Sequence, residues 1–368
     1  MIKDFIKKYI PFFTLISLGV TVLSYIIYIL SVYFTPVADF INSTIGTFLR
    51  VIMEMTTHLL PFSVFEWMII LFIPAVILVI ILAVRDKRDT VDKIRTATAL
   101  VGVVGIIYSG YLLTMAVAYR TTPLTTHLGI EDRRDITEEE LYNSVRYTVE
   151  RINELAPGIS RDEDGISVMD HSFADTAKSI SETYAELSSR YPFYFSHPTQ
   201  AKPIIFSGVM SDMGISGIYT YFTGESNINV EYPDYSNTFV IAHEFAHQRG
   251  IMRENEANFM AFLVTTESPD PFIRYSGYLN MYVYLSNALY SKNKELYTAI
   301  RSTLDEGARR DVARSSEITR AHSESPLNQF FESLNDSYLQ SNGTPGVISY
   351  SYVVRITVAY YKSEGIID

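Results

Sequence analysis

Residues 242–259, AHEFAHQRGIMRENEANF, set two histidines four positions apart with a glutamate directly after the first. At that spacing His243 and His247 project from one helix face, where two neutral imidazoles can hold one metal ion through ring nitrogen. Glu244 lies one step around the same helix. A carboxylate there is positioned to take a proton from water beside the ion rather than to bind the ion itself. Gly250 has the character of a helix C-cap, and after the short turn IMR a second apolar helical face follows in Ala257, Phe259, Met260, Phe262 and Leu263. Glu254 opens that second helix and points back toward the first as a third ligand, since two histidines, one glutamate and a water form an established zinc set. Asn258 is one turn further on the same face, placed to hydrogen-bond a ligand imidazole and fix its tautomer. Glu256 is expected to face away, solvated or paired with Arg249 or Arg253, and is the fallback ligand. The competing reading is a surface helix with two solvated histidines; the Gly-turn-Glu continuation weighs against it.

The chain contains no cysteine, which excludes disulfides, a cysteine nucleophile and thiolate metal sites, so any metal falls to His, Asp or Glu. Histidines 127, 171, 197 and 322 are isolated and read as surface residues. A zinc hydrolase also needs a donor for the oxyanion that develops during attack on an amide. Tyr350, Tyr352 and Arg355 near the C-terminus are the candidates, against a background of 27 tyrosines that mostly pack.

The elements that must position these groups divide sharply by composition. Residues 1–119 hold 9 Lys+Arg and 7 Asp+Glu; residues 120–368 hold 21 and 34, a net of −13. So acidic a region has little to offer nucleic-acid phosphates, and nucleic-acid binding is excluded. Three runs, about 11–34, 64–84 and 96–118, are long and apolar enough to cross a bilayer. The first exceeds the apolar length of a removable signal and lacks a small-residue cleavage site, so it reads as an anchor. Lys3, Lys7 and Lys8, with the basic loop 85–95, place the N-terminus and that loop in the cytoplasm; an odd number of spans then puts residues 120–368 outside. Segment 40–60 is amphipathic and is expected to lie along the outer interface or to dip back into the membrane; its Glu54 and His58 are a ligand-capable i, i+4 pair, read in preference as a solvated helix face. The few charges within the spans argue against a transporter.

The outer region opens with a helix over 136–155, announced by the capping-box pair Thr137 and Glu140, and a second helix over 170–189. Residues 202–208 and 217–232 carry the β-branched and aromatic content of strands. Helices return at about 236–249, 254–266, 271–290, 293–321, 326–340 and 346–362. The expected fold is therefore a three-helix transmembrane N-terminal region (1–119) followed by a mostly helical α+β extracytoplasmic domain (120–368) with a small sheet. Residues 225–232 are the candidate edge strand for pairing with an extended substrate.

The HExxH motif followed by E-x-x-x-N on the next helix resembles the gluzincin metallopeptidases, in which the glutamate is the third zinc ligand. That resemblance implies a zincin-like domain with His243, His247 and Glu254 as ligands, Glu244 as catalytic base and Asn258 in place of a supporting aspartate. The connection between the helices is much shorter than is usual there. The spacing from His247 through Gly250 is nearer that of metzincins, but Arg253 stands where their third histidine would be. Three spans followed by AHEFAHQRG, ENEAN and the late GVISYSYVVRITVAYY are similar, over the whole chain, to the bacterial membrane family termed domain of unknown function 3810. The function expected is that of a plasma-membrane zinc peptidase-like hydrolase, with the lipid bilayer as one partner and a peptide, protein or cell-wall peptide as substrate. The rival is a degenerate zincin that binds zinc or peptide as a sensor or scaffold without turnover.

Overall fold

The computed structural model describes residues 2–131, 133 and 135–368, the side chains of 2–4 and 349–351 excepted. The chain divides into two units, residues 1–122 with 220–225, and residues 123–219 with 226–368. The first differs from the sequence expectation by recruiting six residues from far along the chain.

In the first unit, α1 (Ile2–Tyr9) precedes α2 (Phe12–Tyr33), α3 (Thr35–Ile41), α4 (Thr47–Thr57), α5 (Val64–Arg85) and α6 (Thr90–Tyr111). Three helical stretches, Phe12–Tyr33, Val64–Arg85 and Thr90–Arg120, are long and apolar enough to span a membrane. Helices α2 and α6 meet through small and hydroxylated residues, as helices do where an apolar solvent removes the hydrophobic drive for association. Thr14, Ser17 and Ser24 of α2 are buried, Ser17 donates to the Gly102 carbonyl, and Thr14 donates to the Thr98 carbonyl at 3.1 Å. A Cβ at Gly105 would lie 2.7 Å from the Thr21 hydroxyl, so the closeness depends on glycine.

Segment 40–60 does not present a solvated face. Two π-helical turns, Asn42–Gly46 and Leu112–Ala116, interrupt the regular ladders. The Arg50 guanidinium, 1% exposed, donates to the Asn42 and Thr114 carbonyls of those turns at 2.9 Å each. Glu54 is buried as well, 3.5 Å from His58. The periodicity of 40–60 is amphipathic, but its polar side is satisfied internally. Residues 220–225 complete this unit. Both Glu225 carboxylate oxygens accept backbone N–H bonds at 2.9 Å, from Val64 and Phe65, capping the start of α5. Gly224 has φ +70°, and a Cβ there would fall 2.3 Å from the Glu54 nitrogen. That position demands glycine.

The second unit contains α7 (Leu124–Leu128), α8 (Glu138–Leu155), α9 (Phe173–Arg190), β1 (Ala201–Pro203), α10 (Ser207–Asp212), β2 (Gly217–Thr220, the last residue counted with the first unit), β3 (Glu225–Ile228, counted here from Ser226), α11 (Asp234–Gln248), α12 (Glu254–Glu267), α13 (Pro271–Lys292), α14 (Lys294–Ser302), α15 (Glu306–His322), α16 (Pro326–Ser341) and α17 (Val353–Ser363). The Thr137/Glu140 capping box starts α8 as the sequence indicates. The expected helix 293–321 is two helices, because Asp305 caps a fresh start by accepting from the Ala308 N–H. Helices α8, α9, α11, α12, α13 and α17 share one apolar core that includes Ile152, Ile180, Phe245, Phe262, Leu285 and Val358. Buried polar bonds fix their register: Tyr184 donates to the Ala242 carbonyl at 2.8 Å, and Thr148 meets the Tyr361 hydroxyl at 3.1 Å.

The sheet has three strands in the order β1-β3-β2, with β1 and β3 parallel. This corrects the expectation for residues 225–232. β3 is the middle strand, with a neighbour on each side, and has no edge left for an incoming peptide. The edge nearer the candidate site belongs to β2.

Candidate metal centre

Helix α11 is buried along most of its length, His243, Glu244, His247 and Gln248 included among its polar groups that are buried or nearly so. Gly250, at φ +87°, turns the chain sharply, and the Gly250 and Ile251 N–H groups bond back to the His247 and Ala246 carbonyls. This turn brings the first residue of α12 over the face that carries both histidines. The His243 and His247 rings lie 4.7 Å apart at an interplanar angle of 88°. Their Nε2 atoms are 3.2 and 3.6 Å from one oxygen of Glu254. The three ligand atoms fall within 4.8 Å of one another, a convergence not repeated elsewhere among the described residues. Donors bound tetrahedrally at about 2.0–2.2 Å are roughly 3.3–3.6 Å apart, so the spacing here fits zinc with little rearrangement.

The far sides of the rings are equally ordered. His247 Nδ1 is 2.9 Å from the Ile251 carbonyl, which can only accept, so that nitrogen carries a proton and Nε2 is the atom turned toward Glu254. His243 Nδ1 is 2.9 Å from the Asn258 side-chain oxygen and is fixed in the same way. Glu254 and Asn258 are both buried. Burial favours a neutral Glu254, but the two imidazoles outweigh it and hold the carboxyl well below the usual carboxylate range. For His247, burial works against the charged ring, and the Glu254 and Glu244 carboxylates push it up to about 9.

Glu244 lies beside this trio. Burial raises its carboxyl above the usual range, opposed by His243, His247 and a bond from the Tyr219 backbone. Its Oε2 is buried without a hydrogen-bond partner, an acceptor aimed at nothing in the protein. β2 fixes the other oxygen: a Cβ at Gly217 would come within 2.6 Å of Glu244 Oε1 and 2.5 Å of Val240 Cγ1.

The remaining sequence candidates separate clearly. Glu256 is buried and committed elsewhere, accepting from Leu124 N–H at 3.1 Å and from Arg253 at 2.8 Å. It is neither solvated nor directed at the trio. Tyr352 and Arg355 stack on each other at 4.4 Å, and neither makes a described contact with the histidines or with Glu244 or Glu254. The Tyr350 side chain lies outside the described residues. His322 is engaged with Asp212 and Glu231 at 2.8 and 3.3 Å, and His127 stacks on Phe193. The residue that sequence reasoning missed is Tyr284 on α13. Burial pushes its hydroxyl up to about 12, with the Glu254 charge adding to the rise. Nothing in the helical pattern of 271–292 distinguishes it from its neighbouring tyrosines; only the packing of α13 on α12 does.

With this geometry in place, comparison with known proteins adds one finding. Residues 42–358 match the family described as "Protein of unknown function (DUF3810)", and the chain belongs to that family. No curated protein and no solved structure matches the chain.

Proposed function

We propose that this family member is a membrane-anchored, zinc-dependent peptidase-like hydrolase whose catalytic domain lies outside the cell. His243, His247 and Glu254 would hold the ion. Zinc bound there supplies a Lewis acid that polarises a substrate carbonyl and makes water acidic near neutral pH. Glu244 accepts the water proton at Oε2, and the burial that raises its carboxyl suits it to hand that proton to the leaving nitrogen. Asn258 and the Ile251 carbonyl keep both imidazoles in the ligating tautomer. Tyr284, close enough to Glu254 to feel its charge, joins Tyr350, Tyr352 and Arg355 as a candidate donor for the developing oxyanion. The domain thus has the ligand set and base of a zincin, on which the peptide or amide specificity of the reading rests.

The observation that carries this reading is the conjunction of converging ring nitrogens, locked Nδ1 atoms and an orphaned buried carboxylate oxygen in one place. Orientation rests on the basic residues at the N-terminus and in the 85–95 loop. The test is Glu244→Gln in the full chain, assayed for zinc content and for hydrolysis of a quenched-fluorescence peptide library. Zinc retained with hydrolysis reduced at least about a hundredfold is expected; zinc retained with the wild-type rate contradicts the reading.

A further inference from the structure

Two to three turns before the histidines, α11 borders a groove of about 470 Å³ shared with α13 and α15. Tyr232, Ser236, Asn280, Ser315, Thr319 and Arg320 contribute hydroxyl, amide and guanidinium groups to it, and no carboxylate lines it. That is unusual in a region with 34 acidic and 21 basic residues. Glu231, adjacent to Tyr232 in the chain, is turned toward His322 and Ser211 instead. Arg320 is the one charged residue in the lining, and among the described residues it has no ion-pair partner.

The groove is in line with the candidate metal centre. Ser236, Val240, His243 and His247 follow one another on a single face of α11. On α13, Asn280 and Tyr284 are one turn apart; Asn280 donates to the Tyr235 carbonyl at 3.2 Å at the groove end, and Tyr284 feels the Glu254 carboxylate at the metal end. Both helices therefore lead from groove to ligands in the same direction. The seven residues from Ser236 to His243 span roughly 10 Å of helix, which an extended peptide covers in about three residues.

We infer that this groove is a substrate subsite that takes a carboxylate about three residues from the cleaved bond, with Arg320 as its recognition group; the inference rests on the hydrolase reading. The substrate class is a peptide carrying either an acidic side chain or a free C-terminus at that distance. A guanidinium among hydroxyls offers a carboxylate directed donors without a competing negative charge.

The experiment uses the full chain in detergent carrying Glu244→Gln, so that bound peptide persists. Fluorescein-labelled Ala/Ser hexapeptides, with one Asp or one Lys at successive positions and with free-acid or amide ends, are titrated by anisotropy. Carboxylate peptides are expected to bind roughly tenfold tighter than their Lys or amide counterparts. That preference should vanish in Arg320→Ala and reverse in Arg320→Glu, with zinc content unchanged. A gain from Asp in amidated peptides assigns the site to a side chain; a gain only from free acids assigns it to the C-terminus. Equal binding of Asp and Lys peptides, no binding of any peptide, or a preference that survives Arg320→Glu overturns the inference. An Arg320-dependent preference in a protein without zinc would uphold the groove and overturn the hydrolase reading.

Discussion

At the scale of residues, the site depends on groups that touch the ligands from behind. Gly217 is the sharpest case, because a single methyl there would occupy the position of the Glu244 oxygen. Gly217→Ala should leave the three ligands and the zinc content intact while displacing the base. A misplacement of the order of 1 Å costs about a hundredfold in rate, so activity per zinc should drop by about that factor; unchanged activity would remove β2 from the positioning of Glu244. The convergence of His243, Glu244, His247, Glu254 and Asn258 was legible in the sequence because each has a fixed offset on a helix of known period. Gly217 and Tyr284 were not, since they reach the site across the fold, from β2 and α13, and no local spacing encodes that. Glu256 was only partly legible: its direction away from the site and its pairing with Arg253 followed from local spacing, but its burial and its bond from the Leu124 N–H depended on a distant segment.

Among the elements, the helices were readable from capping and apolar period, and the sheet was the part that misled. Residues 225–228 have the composition of an edge strand, yet β1 pairs with them in parallel, a long-range event that alternation alone does not announce. The break between α14 and α15 was similarly hidden, with only Asp305 to mark it. An element-scale consequence concerns the end of α15. His322 Nδ1 faces Asp212 on α10, and Nε2 faces Glu231 in the loop before α11, so the ring can satisfy both carboxylates only when protonated. The bond to Asp212 leads the causes that raise its pKa above the ordinary 6.5. A raised value in the folded state means that this stabilisation is complete below about 6.5 and is lost as pH rises through the folded value. The Tm gap between wild type and His322→Gln should therefore be a few degrees at pH 6 and close by pH 9. A gap that widens with pH would contradict the charge arrangement.

For the whole molecule, composition separated an apolar N-terminal region from an acidic remainder, and the three apolar helices lie where the runs are. What composition could not show is that residues 220–225 belong with the first unit, through the Glu225 cap on α5 and the close approach at Gly224. The chain therefore passes between the two units at three points, after residues 122, 219 and 225, and experiments on the site belong on the whole chain. The orientation is directly testable because the native chain has no cysteine. Single cysteines at exposed Lys87 and Glu163 should behave oppositely toward a membrane-impermeant maleimide in intact cells: Glu163→Cys labelled, Lys87→Cys labelled only after permeabilisation. The reverse pattern would place the candidate site in the cytoplasm. The central claim is the metal centre itself, and its most direct measurement is the zinc content of the full chain, purified in detergent without chelator, beside Glu254→Ala. The account predicts close to one zinc per chain in the wild type and a large loss in the variant. A wild-type chain that binds no zinc, or a variant that keeps all of it, would contradict the assignment of His243, His247 and Glu254 as a zinc site.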